Sequence, residues 1–170
     1  MFFDSMAFTN IHVLISLIGI VAGFAVLYGL LTSRAMPAVT ATFLLFTVLT
    51  SATGFLFPRP HLLPSHIVGI IALVILAIAL YALYGRHLRG VWRPVYVITA
   101  VISLYLNIFV LIVQCYMKVP ALHALAPTGS EPPFAITQGL TLVVFVILGY
   151  LAVRRFHPGK TTTTLEYTPR

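Results

Sequence analysis

Five stretches without a single Asp, Glu, Lys or Arg, residues 11–31, 37–57, 66–84, 94–117 and 134–153, take up 105 of the 170 residues. Each is 19 to 24 residues long, and a helix needs about 20 apolar residues to cross about 30 Å of hydrocarbon. In lipid the backbone must satisfy its own N–H and C=O groups, and unbroken runs of this length do so as α-helices, not as the alternating strands of a barrel. The chain is 60% hydrophobic and 8% charged, whereas a soluble domain carries about 25% charge. The expected fold is all-α: an integral membrane bundle of five transmembrane helices making one domain over residues 1–157, with a polar cytoplasmic tail over 158–170.

The net charge of +7 would suggest nucleic acid in a soluble protein, but here its placement points to lipid. Arg34, Arg86, Arg89, Arg93, Arg154, Arg155, Lys160 and Arg170 follow the first, third and fifth runs, leaving only Arg59 and Lys118 on the other side. By the positive-inside rule the amino end lies outside and the carboxyl end in the cytoplasm. The amino end holds Asp4 and no basic residue, unlike a signal peptide, so the first run is expected to remain as a helix. The lone Cys115 excludes an internal disulfide and the paired-thiol chemistry of membrane oxidoreductases. Pro37, Pro94 and Pro133 suit first-turn positions, and Ser65 is a candidate cap for the third helix.

Few polar side chains interrupt the runs, and their spacing is informative. Thr99, Ser103, Asn107, Gln114 and Lys118 fall on one face of the fourth run. His12, Ser16, Gly19 and Gly23 do the same on the first, and Gly19 with Gly23 forms a small-xxx-small contact. Amides facing lipid are costly, so Asn107 and Gln114 are expected to point into the bundle. His12, Ser51, His66, Gln114 and Gln138 come from five different runs at one depth near the outer face. With Asn107 they are the expected lining of a polar pocket, and the loop carrying His123 and Glu131 is its expected lid. The competing reading is that these groups only hold helices together, at about 0.6–2 kcal/mol per hydrogen bond.

Four histidines belong to that side. His12 and His66 at matching depth would suit a b-type haem or a quinone-linked redox centre. His61, His66 and His123 could supply nitrogens to Zn²⁺ or Cu²⁺, although no carboxylate or thiolate supports them. The segment "FPRPHLLPSH" (57–66) reads chiefly as a proline-stiffened turn. Transport would require ionisable groups deep in the membrane, and a pore would require an oligomer. Hydrolytic catalysis lacks an acidic residue in any run to orient an imidazole.

The strings "HVLISLIGIVAGF" (12–24), "SATGFLFP" (51–58), "YLNIFVLIVQ" (105–114) and "VPALHALAPTGSEPPFA" (119–135) resemble a family of small uncharacterised bacterial inner-membrane proteins. The resemblance runs over about residues 10–156. It implies a multi-pass protein of the bacterial inner membrane and carries over no catalytic residue. The expectation is a non-catalytic membrane protein, an accessory subunit of a larger complex or a small-ligand binder, in contact with the lipid bilayer and possessing no resident cofactor. A homo-oligomer is compatible with it.

Overall fold

The computed structural model describes residues 6–57 and 64–158. Each apolar run becomes a helix, and each helix stops where proline, glycine or arginine interrupts the run. Helix α1 is Met6–Leu31, α2 is Pro37–Gly54, α3 is Pro64–Leu80, α4 is Trp92–Lys118, the single turn α5 is Pro120–His123, and α6 is Pro132–Arg155. A π-helical turn, Tyr81–Gly85, extends α3. Five helices are thus long and apolar enough to cross a membrane, and no strand is present among the described residues. At about 1.5 Å per residue, α1 and α4, with 26 and 27 residues, run about 40 Å. Pro37 opens α2, and Pro132 and Pro133 open α6, where their missing N–H groups would have had no partner anyway. Helix α3 begins at Pro64, which places Ser65 within its first turn.

The helices alternate in direction. Successive contacts of α1 with α2 pair His12 with Thr53, Gly19 with Phe46 and Gly23 with Phe43. Between α4 and α6, Tyr116 meets Phe134, Tyr105 meets Phe145 and Tyr96 meets Phe156. Helix α4 is the hub, packing on α1, α3 and α6, while α2 joins α1 to α3. One end of the bundle carries His12, His66 and the loop after α4; we call it the histidine end. The other carries Arg34, Arg86, Arg89, Arg93, Arg154 and Arg155, and is the arginine end.

Lipid tails are as apolar as leucine, so helices in a bilayer associate through close packing and hydrogen bonds more than through water exclusion. Gly23 shows how close: a Cβ there would fall 2.5 Å from Leu104 Cδ1 and 2.9 Å from the Phe43 ring. Around this crossing lies the apolar core, with Val26, Leu30, Phe43, Leu44, Leu76, Val97 and Leu104 all buried. The core occupies the arginine half of the molecule. At the end of that half, the backbone N–H of His157 donates to Ser33 Oγ at 2.9 Å, fastening the exit of α6 to the α1–α2 turn.

Candidate functional site

The polar side chains of the spanning helices are mostly used in pairs. His12 Nδ1 lies 2.7 Å from Thr53 Oγ1. That hydroxyl already donates its proton to the Leu49 carbonyl at 2.6 Å, so it accepts from His12, and Nδ1 carries the imidazole proton. Nε2 is left as an acceptor. Ser16 Oγ donates to the His12 carbonyl, and Ser103 and Thr99 bond back to carbonyls four residues earlier. Asn107 Nδ2 donates to Thr47 Oγ1 at 3.2 Å, joining α4 to α2. Tyr116 Oη reaches both the Pro133 carbonyl and Thr137 Oγ1, joining α4 to α6.

Gln138 departs from this pattern. It is only 9% exposed, and its Nε2 donates to the Phe109 carbonyl at 3.2 Å. Flipping the amide would set two oxygens against each other, so the orientation is fixed by that bond. Its Oε1 is then buried with no donor. Gln138, Asn107 and His12 are the expected lining residues that the fold does turn inward: Gln138 faces α4, while Asn107 and His12 both face α2.

The others are dispersed. Gln114 is exposed, contrary to the expectation that it points into the bundle. The last turns of α4 are held by α6 through Tyr116, two residues and about 200° from Gln114, so the amide faces away. Ser51 is half-buried on α2. His66 stacks on Phe55 at 5.6 Å between ring centroids, while the His12 ring meets Phe57 edge-on at 5.2 Å. The two imidazoles thus rest on different aromatic rings at the end of α2. His123 is exposed on α5, and His61 lies outside the described residues. No group of three or more His, Cys, Asp or Glu side chains suited to a metal ion occurs among the described residues.

The loop before α6 is built around its own carboxylate. Glu131 Oε1 accepts from Thr128 N at 3.0 Å and from Thr128 Oγ1 at 2.9 Å, and Oε2 accepts from Ser130 N at 3.0 Å. The Thr128 backbone N–H, the largest of these influences, holds the Glu131 carboxyl down at about 2. Glu131 therefore stabilises its turn and is not directed at the Gln138 region. The loop touches the bundle at Ala126, which is buried.

A second site was not visible in the sequence. At the arginine end Val26, Leu30, Met36, Leu83, Leu88 and Phe156 enclose a cavity of about 120 Å³ with Thr40, Tyr96 and Arg34 also on its wall. Its residues come from α1, α2, α4, two interhelical turns, the π-turn and the exit of α6, which sequence spacing could not bring together.

Five long apolar helices, with amides, hydroxyls and imidazole as their inward polar groups, define an all-helical bundle of membrane-spanning dimensions. Comparison with protein-family models, with curated proteins and with solved structures finds no match for the chain.

Proposed function

We propose that this is a non-catalytic integral membrane protein that holds a small hydrogen-bond-donating ligand in its histidine half. The observation that carries the reading is the buried Gln138 Oε1 without a donor. An unsatisfied buried acceptor costs about 1–3 kcal/mol, and polar groups inside membrane bundles are mostly retained for function. The spanning segments contain no carboxylate that could complete a hydrolytic triad, which supports a binding role over a catalytic one. With this reading goes an orientation: amino end outside, arginine end in the cytoplasm of a bacterial inner membrane, supported by six described arginines at one end against Lys118 at the other.

Native mass spectrometry of protein extracted directly from its membranes tests the ligand. Wild type should carry a small-molecule adduct that Gln138→Leu loses at unchanged helical content. Wild type without an adduct, or a variant that keeps it, ends the reading. Orientation is tested by an impermeant maleimide on Arg89→Cys combined with Cys115→Ser in intact cells, which should stay unlabelled until the membrane is opened.

An accessory role is the second reading. Of α6, only Gln138, Phe145 and Ala152 are buried, seven residues apart, leaving a broad apolar face that includes Ile136, Leu140, Val143 and Ile147. Co-purification with a larger membrane complex in mild detergent supports it, and a monodisperse lone chain opposes it.

A further inference from the structure

The cavity at the arginine end differs in chemistry from the Gln138 region and is independent of it. A single water needs about 10–15 Å³ of such space, so a hollow of about 120 Å³ takes more than one solvent molecule. Its walls are aliphatic and aromatic: Val26, Leu30, Leu83, Leu88 and Phe156. Two hydroxyls, those of Thr40 and Tyr96, also lie on its wall.

Arg34 is the charged group on this wall. It is exposed and has no side-chain hydrogen bond or ion pair among the described residues. Among the described residues no acidic residue lies at this end, while Arg86 lies over Trp92 and Arg154 over Tyr150, to whose hydroxyl its Nε also donates. Among the described residues the charge at the mouth of the hollow is therefore positive.

The backbone here is also unusual. Leu83 and Tyr84 reach the wall from the π-helical turn, a feature found disproportionately at functional sites. Leu88 lines the hollow at φ +57°, a left-handed conformation costing a non-glycine residue about 1–2 kcal/mol. Its N–H bonds the Ala82 carbonyl at 3.1 Å, so the strained residue is held in place with its side chain on the cavity wall.

We infer that this hollow binds an anionic amphiphile, with an aliphatic chain against Val26, Leu30, Leu83, Leu88 and Phe156 and an acidic head on Arg34. The shared chemistry is a carboxylate or phosphate on a hydrocarbon chain, supplied either by a free fatty acid or by an anionic phospholipid. A basic recess between helix ends is suited to such headgroups, and the guanidinium fork matches both acids.

The test uses the full chain in nanodiscs of phosphatidylcholine, with dodecanoate, dodecanol or phosphatidylglycerol as added probes and thermal unfolding as the readout. Dodecanoate or phosphatidylglycerol should raise the unfolding temperature, and whichever does so identifies the source. Arg34→Gln, a change at an exposed residue, should weaken that binding about tenfold. Arg93→Gln, off the cavity wall, should leave it unchanged. Failure of both anionic probes, equal binding of dodecanol, or equal loss in the two arginine variants would overturn the site.

Discussion

The two halves of this bundle are held together by different physics. In the arginine half the helices meet through an apolar core, with Val97, Leu76, Phe43 and Leu104 nearly inaccessible and Gly23 letting α1 approach α2 and α4. In the histidine half fewer side chains are buried, and cross-helix bonds connect the elements instead: His12 to Thr53, Asn107 to Thr47, Gln138 to Phe109, Tyr116 to Thr137. The half richer in polar residues has used most of them on its neighbours. The half that looks merely apolar ends in Arg34, whose side chain has no hydrogen bond or ion pair among the described residues. Availability for a ligand therefore depends on what is left unpaired and not on how many polar groups are present.

Substitutions can break or sharpen this contrast. The largest effect is expected where packing is tightest: Gly23→Leu should abolish the folded state, read as loss of a cooperative melt and of a monodisperse peak in detergent. Retention of a near-normal melt would show that the core is loose enough to shift. Next, Asn107→Leu should lower stability by about 0.6–2 kcal/mol. Thr47→Val should cost a similar amount, and the double variant little more than either alone; additive losses would mean the two side chains do not act as a pair.

A smaller effect concerns the Glu131 turn. Its carboxyl sits at about 2 instead of its ordinary 4.5, so the folded state favours the charged form. The resulting stability is fully present above about pH 4.5 and is lost as pH falls toward 2. The melting-temperature gap between wild type and Glu131→Gln should close across that window, and a gap independent of pH would assign the loop's order to other contacts. The smallest change is expected from Arg34→Gln without added amphiphile, within about 0.5 kcal/mol of wild type. A large loss there would mean the cation is structural.

Much of the architecture was legible because helices in lipid must be long, uncharged and internally bonded. The expected runs 11–31 and 94–117 correspond to α1 at Met6–Leu31 and α4 at Trp92–Lys118, differing only by turns that polar or aromatic residues extend. Run 37–57 was read too long, since α2 ends at Gly54 and Phe55 is its C-cap. Heptad and i+4 spacing correctly turned Thr99, Ser103 and Asn107 inward. It failed at Gln114 because the neighbour gripping α4 changes along its length, which no periodicity encodes. Tyr116 is buried and bonds α6, a role the sequence does not mark, since a phenol at a helix end looks the same at a membrane interface.

Sequence alone determined the number of membrane-length helices, their approximate positions and the segregation of arginines to one set of alternate connections, since these follow from hydrophobic length and charge counted along the chain. Tertiary structure decided which polar groups meet. Pairing His12 with Thr53, leaving Gln138 Oε1 without a donor and opening a hollow beside Arg34 all depend on interhelical distances of a few ångströms. Those distances are set by side-chain volumes on several helices at once, as at Gly23, and a linear pattern carries no record of them.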